Sequence, residues 1–451
     1  MNKQQRIVLI VSILASFVAF LDGSVVNVAL PAIARELGGG LVTQQWTVNA
    51  YLITLGALML IAGSLSDLFG RKRILTYGLI GFAATSLLCA VAPNALFLIV
   101  ARGLQGVAGA LLVPSSLALI MAHFSGAKQG KAIGIWTAWT VIAAVVGPLL
   151  GGFLVDAASW RLIFAINIVP IAYTLWSMRK LPSVQHSSTR AHVDITGAIL
   201  CALGLGSLTY TFIQQPYFGW ASPFIYLPLA LGIGTSIAFI WYERRAAHPM
   251  LPLHLFAIRN FGVGNIATAA IYGGLAVSGF LVTIFVQQIG GYSAVAAGFA
   301  FIPVTALMFL LSSFFGGLAG KYGPRLFMAV GPMVAAIGFL LMLRLGQHIN
   351  YWVDLLPGVL LFGLGLTITV APLTAAILGS IHPAQSGIGS AVNNAVARVA
   401  GLVAVAAVGI IVGTTMTVEG FHNGLLFTAA LLFAGGIISA IGIENPKPAA
   451  S

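Results

Sequence analysis

The chain has 451 residues, 59% of them apolar and only 7% charged. Ordinary soluble domains carry about 25% charged residues, so this chain cannot cover a water-facing surface of its own size, which excludes a soluble enzyme or binding module. Its net charge of +12 is spread in short clusters between apolar stretches rather than gathered on one face, which argues against nucleic acid as a partner.

A helix that crosses the bilayer needs about 20 mostly apolar residues. Lys3 and Arg6 ahead of Ile7 to Phe20 resemble a secretory leader, yet the apolar run continues past Asp22 to Leu30 without a small-residue cleavage pattern. It reads as a retained first span, at about 7–30. Further spans follow at about 45–66, 74–92, 95–121, 131–154 and 160–178, and, after a polar linker from Arg179 to Arg190, at about 193–213 and 222–242. The last six lie at about 262–289, 295–317, 326–344, 353–378, 388–414 and 423–443, which predicts roughly fourteen in all. Cys89 and Cys201 both fall within apolar stretches, so no disulfide framework is implied.

Lys and Arg collect in the cytoplasmic loops of membrane proteins. An even number of spans puts both termini on one side. That side carries Lys3, Arg6, Arg71, Lys72, Arg73, Arg179, Lys180, Arg190, Arg244, Arg245, Arg325 and Lys447 among others, whereas the opposite side holds Arg35, Arg161 and Arg344. The imbalance predicts a multi-pass protein of the cytoplasmic membrane with both termini in the cytoplasm.

Internal echoes point to a repeat. Gly63-Ser-Leu-Ser-Asp-Leu-Phe-Gly-Arg-Lys-Arg, between spans 2 and 3, returns weakly as Gly316-Gly-Leu-Ala-Gly-Lys-Tyr-Gly-Pro-Arg between spans 10 and 11. A looser echo sets Gly103 and Gly106 ahead of Pro114 against Gly363 and Gly365 ahead of Pro372. Two parallel six-helix repeats are the transporter arrangement in which one bundle rocks against the other. The expected division is an N-terminal six-helix bundle at 1–180, a linker with two inserted spans at 181–257, and a C-terminal bundle with a short tail at 258–451.

An Arg inside a span is costly and calls for a partner. At 1.5 Å of rise per residue, Arg102 lies roughly 12 Å below the outer end near Asn94, and Asp22 lies roughly 13 Å below Pro31. The two opposite charges match in depth. Either they form a structural pair that avoids an unpaired buried charge, or they couple protons to transport, since separating or joining the pair changes how readily the carboxyl holds a proton.

The loop Gly63-x-x-x-Asp67-x-x-Gly70-Arg71-Lys72-Arg73 resembles the hallmark loop of the major facilitator superfamily. That resemblance implies a conformational gate made by Asp67, Gly70, Arg71 and Arg73, with Asp67 and Arg71 relaying charge against the other half. Leu21 to Pro31 resembles the first-span motif of the fourteen-span drug/proton antiporter branch. Arg102-x-x-Gln105-Gly106 resembles the fourth-span motif associated with proton transfer, with Ala108 and Gly109 where Gly then Ala is usual. Gly147-Pro148-Leu149-Leu150-Gly151-Gly152 resembles the antiporter motif of exporters, with Ala143 where Gly is often found. Trp160-Arg161 and Phe164-x-x-Asn167 resemble the same branch.

The resemblance implies an all-α membrane protein of the major facilitator fold: two six-helix bundles plus two extra central helices. It also implies a proton-coupled antiporter that exports lipophilic drugs or related small molecules by alternating access. Asp22 and Arg102 would carry the coupling, and Gly147, Pro148, Gly151 and Gly152 would set the direction as export.

Candidates for the substrate cavity are Asn27, Gln105, Asn393, Asn394 and Arg398. Asn394 and Arg398 are four residues apart and share a helix face, although interhelical hydrogen bonding would place amides in a span equally well. Trp46 and Tyr51 read as cavity or core aromatics. Asp22 is the one carboxylate clearly within a span, which favours lipophilic, neutral or monovalent-cation substrates.

The competing reading of a polytopic membrane enzyme finds no His-Glu-x-x-His and no convincing nucleophile and base; an ATP-driven pump would need a phosphate loop, which is lacking. No catalytic residue, metal or cofactor is expected. The expected partners are protons, a small lipophilic substrate and the bilayer, with the protein monomeric. Export of a single lipid, siderophore or antibiotic would use the same machinery.

Overall fold

Lipid offers no hydrogen bonds, so each spanning segment must satisfy its own backbone, and a helix does so. The computed structural model, which describes residues 1–124, 126–181, 193–382 and 385–445, is built accordingly. Arg190 of the polar linker, Lys447 and the side chain of Asp67 lie outside the described residues.

The helices are α1 (Lys3–Leu37), α2 (Gly40–Phe69), α3 (Arg71–Ala90), α4 (Ala95–Ala110), α5 (Leu112–His123), α6 (Gly126–Ala157), α7 (Leu162–Ala165), α8 (Ile168–Met178), α9 (Ile195–Phe218) and α10 (Pro223–Glu243). They continue with α11 (Arg259–Gln288), α12 (Ala294–Phe299), α13 (Ile302–Tyr322), α14 (Arg325–Leu341), α15 (Leu356–Gly379), α16 (Ser386–Ala406), α17 (Val408–Val412) and α18 (Val418–Gly442). Every stretch expected to span falls on helix. Among the described residues, eleven segments are long and apolar enough to cross a membrane, with shorter apolar helices at Val146–Ala157 and Leu162–Met178. The helices α2 and α6, 30 and 32 residues long, include side chains outside the described residues and stand apart from that count.

Three interruptions inside expected spans have one cause. Proline lacks an N–H, and its ring clashes with the carbonyl four residues earlier. Pro114, Pro170 and Pro303 therefore disturb the helix at Ala110, Ile166 and Phe299, and the breaks between α4 and α5, α7 and α8, and α12 and α13 fall there. The second of these matters most, because it places Asn167 at a helix end in the middle of a span.

The chain divides into two compact units. The first holds Met1–Gln214, Trp220–Met250 and Ser293–Gly298; the second holds Gln215–Gly219, Leu251–Tyr292 and Phe299–Ser451. In the first, α1 packs on α6 and α8, α2 on α4, and α3 on α4 and α8. In the second, α11 packs on α16 and α18, α13 on α15, and α14 on α15 and α18. The pairs correspond one for one, as parallel repeats require. The weak echo in the sequence has a backbone counterpart too: Gly70 and Gly323 occupy equivalent places and take φ of 94° and 87°, a region that side chains with a Cβ avoid. After each turn a basic side chain reaches a carbonyl more than a hundred residues on in the same unit. Lys72 Nζ donates to the Leu181 carbonyl, and Arg325 Nε donates to the Ala440 carbonyl at 2.7 Å.

Outward faces carry exposed apolar side chains such as Val169, Leu231, Phe309 and Ile441, the surface expected of helices solvated by acyl chains. Inside, polar side chains bridge helices where lipid cannot. Ser16 of α1 and Ser116 of α5 lie 2.6 Å apart, and Trp136 Nε1 of α6 donates to Ser16 Oγ at 3.0 Å.

Candidate functional site: a buried charge network

Asp22 sits midway along α1 and is fully buried, as are Arg102 and Gln105 of α4 to within 1%. The two α4 residues are three apart, so they present one face to α1. Arg102 Nη1 donates to Asp22 Oδ2 at 2.6 Å and to Gln105 Oε1 at 2.7 Å, while its Nε donates to the Thr47 carbonyl of α2 at 3.0 Å. The guanidinium carbon lies 4.3 Å from the Tyr51 ring centroid and 5.7 Å from that of Phe164, so aromatic faces further stabilise the desolvated cation.

The second carboxylate oxygen is equally engaged. Asp22 Oδ1 accepts from Gln105 Nε2 at 3.0 Å and from Asn167 Nδ2 at 3.1 Å. Both amides also donate to Ser86 Oγ of α3, at 2.9 and 3.3 Å, and Cys89 Sγ lies 3.6 Å from Gln105 Oε1. Every partner of the carboxylate is therefore a donor, the arrangement an ionised carboxylate takes. Moving two ions out of water costs several kcal/mol each, and only a pairing this complete offsets it.

Glycines make the approach possible. A Cβ on Gly106 would stand 2.3 Å from the Tyr51 carbonyl oxygen, so α4 reaches α2 closely enough for Arg102 to touch Thr47 because that position is Gly. On α6, a Cβ on Gly147 would stand 2.0 Å from Ser24 Oγ, and one on Gly151 would stand 2.5 Å from Val25 Cγ2. The antiporter-like motif thus lies directly against the turn of α1 that follows Asp22. Pro148 is inside α6, and its carbonyl faces Gly298. A Cβ on Gly152 would stand 2.6 Å from the Ala294 carbonyl oxygen, and Asp156 accepts from the Ala294 and Val295 amides at 3.1 and 2.8 Å.

At the loop between α2 and α3, Gly70 makes the turn and Arg71 Nη1 donates to the Ala118 carbonyl of α5 at 3.1 Å. Arg73 Nε donates to Tyr77 Oη at 2.9 Å on an exposed face. At the other end of α1, Glu36 accepts from Trp160 Nε1 at 2.6 Å and from Arg161.

The sequence pattern of the Major Facilitator Superfamily matches residues 12–405. The chain belongs to that superfamily. It is a membrane transporter and not an enzyme. The multidrug resistance protein Stp of Mycobacterium tuberculosis (strain CDC 1551 / Oshkosh) is 34% identical over 401 residues, covering 88% of this chain and 73% of the relative. The puromycin resistance protein pur8 of Streptomyces alboniger is 33% identical over 447 residues, covering 95% and 88%. Among solved structures, the peptide transporter POT in complex with sulfate superposes with a TM-score of 0.72 at 15% identity, covering 97% of this chain and 94% of that one. That last likeness is one of fold.

In this major facilitator protein the proposed cavity residues are dispersed. Gln105 is buried inside the charge network. Asn393 of α16 donates to Asn265 Oδ1 at 3.1 Å and to Thr268 Oγ1 at 2.9 Å, both on α11, which is the interhelical alternative. Asn394 is exposed and donates to the Ser390 carbonyl at 2.9 Å. Arg398 and Asn27 are half-buried. Trp46 packs on Tyr210 with ring centroids 6.4 Å apart, and Tyr51 belongs to the Arg102 site.

Ser86 and Asn167 were not singled out as site residues from sequence. Ser86 is one hydroxyl among many. Asn167 carries two signals, the Phe164-x-x-Asn167 resemblance to the antiporter branch and a polar amide three residues before a proline in an apolar stretch. Two further acids prove buried: Asp194, whose Oδ1 accepts from the Gly197 amide at 2.8 Å, and Glu243, at the adjoining ends of α9 and α10.

Proposed function

We propose that the protein is a proton-coupled antiporter that exports small lipophilic compounds, drugs or antibiotics among them, across the cytoplasmic membrane by alternating access. The observation that carries this reading is the Asp22–Arg102 pair, a carboxylate buried mid-span and held only by donors. When Asp22 takes up a proton it loses its charge, Arg102 is left uncompensated in a dry site, and the helices that hold the two must rearrange. When the proton leaves, the pair closes again. That exchange ties one proton-binding event to one conformational change, as antiport requires. The glycines of α6, packed on α1 beside Asp22, would transmit the rearrangement, and Asp67, Gly70, Arg71 and Arg73 would gate it.

Several finer points belong to the same proposal. The bundles are 1–180 and 258–451, with 181–257 carrying two inserted spans; both termini are cytoplasmic, and the transporter works as a monomer. Of the cavity candidates, Asn27, Asn394 and Arg398 remain as substrate contacts.

The test is proton-gradient-driven dye or drug flux in vesicles, wild type against Asp22→Asn. Flux in Asp22→Asn should fall to the level seen without a gradient. Gradient-driven flux equal to wild type would remove Asp22 from coupling. A second reading, export of one dedicated antibiotic, is favoured by the relative named for puromycin alone; a panel of unrelated lipophilic compounds, of which only one is carried, would select it.

A further inference from the structure

The network around Asp22 contains two amides, and they differ in what their oxygens touch. Gln105 Oε1 is fixed by Arg102 Nη1 at 2.7 Å. Asn167 Oδ1 is fully buried and has no hydrogen-bond partner. Ser86 Oγ accepts from both amides, and no acceptor stands against its own proton among the described residues. These two unmet groups sit on either side of the same pair of contacts.

A protonated Asp22 would present an O–H to atoms that are all donors in this arrangement. One amide must turn over to receive it. Turning Gln105 would put its NH2 against the Arg102 guanidinium, donor against donor. Turning Asn167 sacrifices no hydrogen bond of its oxygen, because that oxygen has none. Its Oδ1 would then take the place of Nδ2, 3.1 Å from Asp22 Oδ1 and 3.3 Å from Ser86 Oγ. There it accepts from the carboxyl O–H and from the Ser86 hydroxyl, whose proton was otherwise unmet, while the NH2 moves to the place the oxygen held.

We propose that Asn167 is the positioning residue that reads the protonation state of Asp22, its side-chain amide facing the carboxylate with Nδ2 when Asp22 is ionised and with Oδ1 when Asp22 is protonated. The site has one hydrogen-bond pattern for each state of a single proton: the ionised one leaves the Asn167 oxygen unmatched, and the protonated one puts the Asn167 NH2 in that place. The helix break that Pro170 imposes puts Asn167 at the N-cap of α8, where its side chain makes no bond to the helix end and is free to serve Asp22. The other titratable groups facing the site are Arg102 of α4, Tyr51 of α2 and Cys89 of α3. The inference rests on Asp22 taking up a proton, as proposed above.

Infrared difference spectra of the full-length protein in lipid, recorded on lowering the pH, test it. Asparagine labelled at the side-chain carbonyl identifies amide bands, and Asp22→Asn assigns the carboxyl band. As the Asp22 carboxyl band appears, one labelled amide carbonyl should shift to lower frequency, the signature of a carbonyl gaining donors, and it should be missing in Asp22→Asn and in Asn167→Thr. An Asp22 band that appears with no Asn167-dependent amide shift overturns the inference while leaving proton coupling intact. No titrating Asp22 band at all overturns both. In vesicles, Asn167→Leu, which neither donates nor accepts, should lower gradient-driven flux about tenfold. Asn167→Thr, whose hydroxyl can do either by rotating, should stay within about threefold of wild type. Equal loss in the two, at equal folded amount, counts against the proposal.

Discussion

The two compact units are built from the same helix pairs and turn on glycines of the same backbone conformation, yet their interiors are different in kind. The first buries an ion pair and its amide and hydroxyl partners where α1, α2, α3, α4 and the start of α8 meet. At the α11–α16 contact of the second, Asn393 is joined to the neutral Asn265 and Thr268, and Arg398 of α16 is the charged side chain near Tyr272 of α11. Neutral hydrogen bonds hold helices together at about 1 kcal/mol each and do not change with a proton. A buried charge pair does. The repeat supplies a shared scaffold, and one half of it carries the buried carboxylate–guanidinium pair.

Breaking the charge pair should have the largest effect. Arg102→Ala leaves a buried carboxylate without its counter-ion, which should cost about 3–5 kcal/mol, read as a lower melting temperature and folded yield, together with loss of gradient-driven flux. The double variant Asp22→Asn, Arg102→Ala should recover stability without recovering flux. Recovery of both would make the pair purely structural.

Next come glycines at matching helix contacts. Gly106→Ala in the first unit and Gly365→Ala in the second each place a Cβ within 2.3 and 2.4 Å of backbone atoms. Each should destabilise by about 1–3 kcal/mol through overpacking. Gly106→Ala should also separate Arg102 from Thr47 and lower coupling beyond its effect on yield, whereas flux per folded molecule should survive Gly365→Ala. Parallel losses of flux per molecule would erase the distinction between the halves.

The paired turns should respond alike and less. Gly70→Ala and Gly323→Ala both force a Cβ into a left-handed conformation, at about 1 kcal/mol each, measurable by thermal unfolding. Gly323→Ala should exceed its counterpart, since the new carbon falls 2.2 Å from the Asn445 side chain. Smallest in its effect on transport is Asn393→Leu, expected to cost about 1–2 kcal/mol of stability with the proton dependence of flux unchanged; a shifted pH profile would mean that the second unit also senses protons.

Much of this was legible in advance, for identifiable reasons. Apolar stretches longer than the bilayer is thick must be helices, so their positions follow from composition, and Asp22 and Arg102 stood out because a charge mid-span has few alternatives to a partner at its own depth. Pro114 and Pro303 interrupt their helices without removing a span, since Ala95–His123 and Ala294–Tyr322 each remain long enough to cross the bilayer. The sequence leaves Asn393 either a cavity or a packing residue, and in the structure it donates to Asn265 and Thr268 of a neighbouring helix. Gln105, expected to face a cavity, is consumed by the ion pair three residues away. Asn167 and Ser86 belong to helices far from Asp22 in sequence, and hydrogen-bond partners of that kind leave no periodic trace.

The chain by itself determined that this is a helical membrane transporter with one mid-span carboxylate, because the solvent and the cost of burying charge act on each segment separately. Only the tertiary structure decided that five donor contacts from Arg102, Gln105 and Asn167 converge around that carboxylate and its hydroxyl neighbour, with one amide oxygen left unmatched. Such convergence is set by where helices cross, and glycines such as Gly106 and Gly147 fix those crossings at a distance no single segment encodes.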